Sequence, residues 1–387
     1  MGLACLAVSA VGCASAAVAP PRTVSPSAAG PTPLPAPVTA ATPGGAPTCS
    51  TLSALSSWSL SRLAAQLVVV PVDETDVGSV APSVAAGAGG VILYGSAAPA
   101  DLGPQLQALA AQAGGGLAPV VMSDEEGGSI QRMANLIGAL PWPATMSATM
   151  SPTAVYRLAE QTAEAMLANG VEMDLAPVLD LAAGPGPDAT HIDGPRSFGL
   201  SPFTTTDYGL EFADGLEGGG VIPVVKHFPG EGSASANTDD GPATTPALVT
   251  LEKADLLPFE AAIDTGIPAV MVGDATVPGL SQGPASLSPA VITGLLRQQL
   301  GFTGLVLTDS LSADAISDLG ISVPEASVEA VAAGADMVLY DTADPNTTFQ
   351  QVVAQLAAAV SDGQIPSATL DAAVEQVLAV KKVNLCP

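Results

Sequence analysis

The chain has 387 residues, of which 48% are hydrophobic and 3% aromatic, and its 37 acidic against 10 basic side chains give a formal charge of −27. That hydrophobic fraction excludes a disordered chain, and the length suits one large domain or two ordinary ones; a single α/β barrel of roughly 250 residues or more would fill most of it. So large an acidic excess repels phosphate backbones and anionic membrane surfaces, which excludes nucleic acid and such membranes as partners.

Residues 1–19 are small and apolar, too short and too rich in Ala and Ser for a membrane-spanning helix but suited to the apolar part of an export signal. The first basic residue is Arg22, so the positive leader of a signal is expected upstream of Met1. Ala10-Val11-Gly12-Cys13 resembles a bacterial lipobox, whose Cys is lipidated after cleavage; the other reading is an ordinary signal peptide with an incidental Cys. Residues 20–47 are rich in Pro, Ala, Ser and Thr with little to bury, the composition of an extended, disordered linker that would tether a folded domain to a membrane or wall.

The domain is expected over 48–387. Cys49 opens it and Cys386 lies beside its end, so an exported, oxidising setting would let the two form a disulfide; two free thiols are the alternative. No cysteine pair has metal-ligand spacing, and two histidines, His191 and His227, are too few for a multi-histidine metal site.

From residue 67 short apolar runs alternate with longer amphipathic segments, the pattern of repeated β-α units. The eight runs cover 67–72, 90–94, 119–123, 171–181, 221–226, 268–273, 304–308 and 335–340. Helices are expected over 154–168, 251–264, 289–300 and 349–361, with Gly170, Gly266, Gly301 and Gly363 as stops. Eight strands with intervening helices imply an α/β fold, a (β/α)8 TIM-type barrel forming one catalytic domain, since a doubly wound sheet more often uses fewer strands. A last helix, about 370–382, is expected on the outside of the barrel. Scarce aromatics predict a core of small aliphatic side chains.

Active residues of such a barrel sit at the carboxyl ends of its strands. Those ends carry Asp124, Glu125 and Glu126, then Asp180, Lys226 and His227, Asp274, Asp309 and Asp341. A ring of carboxylates with a few cations suits glycoside hydrolysis, in which one carboxylate attacks the anomeric carbon and the others hold hydroxyls. A hard cation such as magnesium or calcium is the alternative occupant.

Five blocks carry a resemblance: Ser123-Asp124-Glu125-Glu126-Gly127-Gly128-Ser129-Ile130-Gln131-Arg132, Leu175-Ala176-Pro177-Val178-Leu179-Asp180, Arg196-Ser197-Phe198-Gly199, Lys226-His227-Phe228-Pro229-Gly230 and Leu307-Thr308-Asp309-Ser310-Leu311. In this order they resemble the family 3 glycoside hydrolases, and most of all the single-domain β-N-acetylhexosaminidases of the NagZ type, exported actinobacterial lipoproteins among them. The resemblance implies that Asp309 is the nucleophile of a retaining mechanism, where a helix N-cap is the structural alternative. It implies that Asp124, Arg196, Lys226 and His227 grip the sugar, with Asp180 and Glu126 in support. It implies N-acetylglucosamine-containing cell-wall fragments as the carbohydrate substrate, a β-glucoside being the alternative, and neither cofactor nor metal.

Three family histidines are acidic residues here. Glu231 replaces the second His of Lys-His-Phe-Pro-Gly-His-Gly, and Asp274 replaces a His after the sixth strand. Asn237-Thr238-Asp239 stands where the family has Asp-Ser-His, whose His is the acid/base. One explanation is a glycosidase in which Asp239, or its neighbour Asp240, protonates the leaving oxygen, its pKa raised by nearby carboxylates such as Asp309. The other is a weak or inactive paralogue that binds cell-wall sugars.

Overall fold

The structure, a computed structural model, describes residues 54–386 apart from 183, 185 and 188–191. The expected signal, lipidation at Cys13 and linker lie outside the described residues, as do Cys49 and His191. Cys386 is disulfide-bonded.

The described strands are β1 (Val68–Asp73), β2 (Gly90–Tyr94), β3 (Val120–Ser123), β4 (Glu125–Gly127), β5 (Ile130–Gln131), β6 (Met173–Asp174), β7 (Ile222–Phe228), β8 (Ala269–Val272), β9 (Leu305–Ser310) and β10 (Met337–Leu339). Eight of them close a parallel barrel in the order β1-β10-β9-β8-β7-β6-β3-β2. Apart from the β4–β5 insertion, each strand pairs with its neighbour in sequence. Helices cross over between strands, as parallel pairing requires.

Alternation along the strands divides the apolar side chains into two cores. In β8, Ala269 and Met271 point into the barrel while Val270 and Val272 point to the surrounding helices. Met122, Met173, Met271 and Met337 help fill the inside, where flexible, unbranched side chains occupy the irregular gaps left by a chain poor in aromatics. The outer core is less uniformly small than composition suggests, since Phe212, Phe228, Phe259, Phe349 and Tyr340 are among its largest buried side chains.

Four local features depart from the sequence reading. The run 171–181 forms a ladder only at Met173–Asp174, because Pro177 has no N–H to give; beyond it the chain follows β7 through Val224 N to Ala176 O (3.1 Å), Lys226 N to Pro177 O (3.1 Å) and Leu179 N to Lys226 O (2.6 Å). The expected helix 251–264 is two helices, Leu248–Leu251 and Leu256–Thr265. Pro258 sits in the first turn of the second, where a missing N–H is tolerated. Ala290–Gln299 is wound as a π-helix. An antiparallel hairpin, β4–β5, follows β3 directly; its turn needs Gly127 and Gly128 at positive φ, and a Cβ on Gly128 would lie 2.0 Å from Trp142. The last helix, Ser367–Val380, is placed as expected. No helix among the described residues is long and apolar enough to cross a membrane.

Candidate active site

A cavity of about 470 Å³ opens at the carboxyl ends of the strands, lined by Tyr94, Asp124, Glu126, Arg132, Asp193, Arg196, Lys226, His227, Glu231, Asn237, Thr238, Asp239, Asp309, Ser310 and Asp341, with Met271 and Leu339 toward the barrel interior. β3 and its hairpin supply the acids Asp124 and Glu126. β7 supplies Lys226 and His227, and the loop after it supplies Glu231 and Asn237–Asp239. β9 supplies Asp309. Asp309 therefore lies in a strand, with the following helix starting only at Asp314, and its Oδ1 accepts the next residue's N–H (2.7 Å); it caps no helix.

The cations are locked to acids on one side of the cavity. Arg196 grips Glu126 with two parallel bonds, Nε to Oε2 at 2.8 Å and Nη2 to Oε1 at 2.9 Å, and reaches Asp193 at 3.2 Å. Lys226 Nζ lies between Asp124 (2.8 Å) and Glu126 (2.7 Å), and Arg132 holds the other oxygen of Asp124 at 3.2 Å. Burial alone would raise the Asp124 and Glu126 carboxyls, but Lys226 with Arg132, and Arg196 with Lys226, outweigh it and hold both below the usual range. These groups are charged and prepositioned. They suit hydroxyl recognition, because a carboxylate accepts and a guanidinium or ammonium donates.

His227 is oriented from behind. Asp180 takes its Nδ1 at 2.6 Å and its backbone N–H at 3.0 Å, and also accepts the Glu231 N–H at 2.6 Å. Burial would discharge the imidazole, but Asp180, aided by Asp309, raises its pKa to about 9, so at neutral pH it is an imidazolium. Its Nε2 stands 4.0 Å from Asp309 Oδ2.

Other acids of the same lining have no such partners. Asp239 is exposed to the cavity, yet partial desolvation and then the charge of Asp309 push its carboxyl up, the direction a general acid needs. Asn237 Oδ1 accepts the Asp239 N–H at 3.1 Å, which shapes the turn carrying it. Glu231 is 4% exposed and raised to about 8, chiefly by burial.

The structure thus brings Asp124, Arg196, Lys226, His227, Glu231, Asn237, Asp239 and Asp309 around one cavity. Asp274 is buried outside its lining and Asp240 is exposed outside it. Asp193 and Tyr94 were missed by sequence reasoning. Asp193 precedes Arg196 by one turn, a spacing that could have marked it, whereas Tyr94 gave no signal beyond ending a strand. Asp180, Asp193 and His227 bring one possible ligand atom each within 4.8 Å of one another, but Asp180 is already engaged by three N–H groups and the Arg196 cation lies against Asp193.

Residues 65–380 match the family described as Glycosyl hydrolase family 3 N terminal domain. Over 280 residues, 70% of each chain, the sequence is 38% identical to the beta-hexosaminidase LpqI of Mycobacterium tuberculosis. It is 31% identical over 243 residues, 60% of this chain and 68% of the relative, to a beta-hexosaminidase of Nitrosomonas eutropha. Among solved structures, LpqI of M. tuberculosis superposes with a TM-score of 0.77 at 35% identity, covering 87% of this chain and 98% of that one. A beta-N-acetylhexosaminidase from Beutenbergia cavernae gives 0.77 at 29% identity, covering 84% and 99%.

Proposed function

The chain belongs to glycoside hydrolase family 3, and from that premise we propose that it is a retaining β-N-acetylhexosaminidase whose nucleophile is Asp309 and whose acid/base is Asp239. The observation that carries this is that Asp309, at the end of β9, lines the same cavity as Asp239, whose carboxyl its charge helps to raise. The Asp309 carboxylate attacks the anomeric carbon while the Asp239 carboxyl gives its proton to the departing glycosidic oxygen, leaving a glycosyl ester on Asp309. Asp239, now ionised, takes a proton from water as that water attacks the same carbon, and Asp309 leaves. Two displacements preserve the anomeric configuration.

Asp124, Glu126, Arg196 and Lys226 form the hydroxyl-binding wall, and the His227 imidazolium stabilises the charge on Asp309 before attack. N-acetylglucosamine at the end of a cell-wall fragment is the substrate favoured by the relatives' named activities. The apolar leader, Cys13 and the linker over 20–47 fit an exported protein anchored by lipid near that polymer, with one catalytic domain over 48–387.

The test is turnover of an aryl N-acetyl-β-glucosaminide and an aryl β-glucoside by the full chain across pH 4–8, with product configuration read by NMR. Retained configuration and preference for the acetylated sugar are expected. Binding of N-acetylglucosamine without turnover of either substrate would replace the enzyme reading with that of a sugar-binding paralogue.

A further inference from the structure

After β7 and β8 lie two buried carboxyls that the mechanism leaves unused. Glu231 follows β7 and is 4% exposed; Asp274 follows β8 and is 1% exposed. Glu231 reaches across to the neighbouring strand end, where its Oε1 accepts the Ala275 N–H at 2.7 Å. It fits there because residue 273 is glycine, since a Cβ on Gly273 would lie 2.2 Å from that oxygen. The Glu231 carboxyl therefore lies against the backbone on both sides of Asp274. Asp274 accepts the Ser286 hydroxyl through Oδ1, and its Oδ2 has no partner.

Neither carboxyl makes an ion pair among the described residues. The charged groups facing Glu231 are His227 from β7, Asp180 from the segment after β6 and Asp309 from β9. Those facing Asp274 are Asp309, Glu231 and Asp239. The one cation of this set, His227, is already bonded to Asp180. Two adjacent buried carboxyls with so little compensation cannot both be ionised, because each ionised form loses hydration and meets the other's charge.

We infer that Glu231 and Asp274 both keep their protons during turnover, and that this neutral carboxyl pair positions the loop over 231–240 against β8. Burial moves both groups upward, Glu231 to about 8. While the pair is neutral, Asp309 is the anion facing His227 from this side. Losing the Glu231 proton places a further negative charge against Asp309 and leaves an ionised Glu231 with one N–H donor in place of water. Glu231 then leaves the wall, and Asn237–Asp239, on the same loop, leave with it. Turnover consequently has an upper pH limit set by a residue that does not touch the reacting atoms.

This rests on Asp309 being the nucleophile, and the experiment separates the two. A 2,4-dinitrophenyl N-acetyl-β-glucosaminide needs no proton on its leaving group, so an alkaline loss of kcat/KM with it does not report Asp239. The full chain is expected to lose at least tenfold in kcat/KM above about pH 8. Glu231→Gln, neutral at every pH, should move that limb up by about one pH unit, to where His227 loses its proton at about 9, and Asp274→Asn should move it in the same direction. A wild-type profile flat to pH 10, or variants whose limbs superpose on it, would overturn the inference. Should the variants fold poorly, infrared difference spectra of the wild-type chain decide: a neutral-carboxyl band that persists at pH 7.5, above the values of about 7 to which Glu125 and Asp193 are raised, and is lost above pH 8 supports the pair, and the lack of such a band refutes it. Turnover that survives Asp309→Ala would instead overturn the assignment of the nucleophile, whatever the limb does.

Discussion

His227 Nε2 faces Asp309 Oδ2 at 4.0 Å, close enough for charge to act and too far for a direct hydrogen bond. The imidazole is held there by Asp180 on its other nitrogen, so the Asp180–His227–Asp309 line presents a positive edge to the proposed nucleophile. The carboxylate stays available on the side that opens to the cavity.

Removing that carboxylate should abolish the chemistry while leaving the hydroxyl-binding wall intact. Asp309→Ala is expected to lower kcat by roughly 10³-fold or more. Calorimetry should show N-acetylglucosamine still binding, because Lys226 and Arg196 keep their acidic partners.

The proposed acid/base, Asp239, is separable by leaving group. Asp239→Ala should slow unactivated substrates by about 10²–10⁴-fold and a dinitrophenyl substrate far less. Azide should rescue the variant and yield a β-glycosyl azide. No rescue, together with equal loss on both substrates, would move the acid/base elsewhere.

Lys226→Met removes the cation shared by Asp124 and Glu126. Two buried carboxylates then keep only Arg132 and Arg196, and a loss of about 3–5 kcal/mol is expected in urea unfolding, since breaking a buried pair leaves charge uncompensated. Adding Asp124→Asn should recover part of it, because one of the stranded charges is gone.

Stability should also depend on pH in a defined sense. His227 is raised from 6.5 to about 9 on folding, so its contribution is complete below about pH 6.5 and lost as pH rises through 9. The shift is worth on the order of 3 kcal/mol. Glu231, raised from 4.5 to about 8, holds a proton in the folded chain that the unfolded chain releases, which again lowers stability between those values. Glu126 has the opposite shift, and its contribution is lost as pH falls below 4.5. Scanning fluorimetry should therefore find maximal melting temperature between about pH 4.5 and 6.5 and a decline toward pH 9; a melting temperature rising over pH 7–9 would contradict this.

Much of the barrel was legible because its signal is local. Alternation of apolar runs and amphipathic segments reports burial directly, and seven of the eight runs became strands close to their expected positions. The fourth became a strand only at Met173–Asp174, since Pro177 has no N–H for the longer ladder that its apolar composition promised. The strand ends likewise located Asp124, Lys226, His227 and Asp309 before any contact was known.

What the sequence by itself determined is the order of strands and the residue types delivered to one end of the barrel. Only the tertiary structure decided which charges neutralise which. Lys226 meets Asp124, Arg196 meets Glu126, and Glu231 packs beside Asp274, each across a long separation in the chain. Electrostatic partnership is a matter of ångströms, and barrel closure brings these distant groups together. That closure leaves Asp124 and Glu126 paired and ionised, while Asp239, Glu231 and Asp274, lacking such partners, keep their protons more tightly.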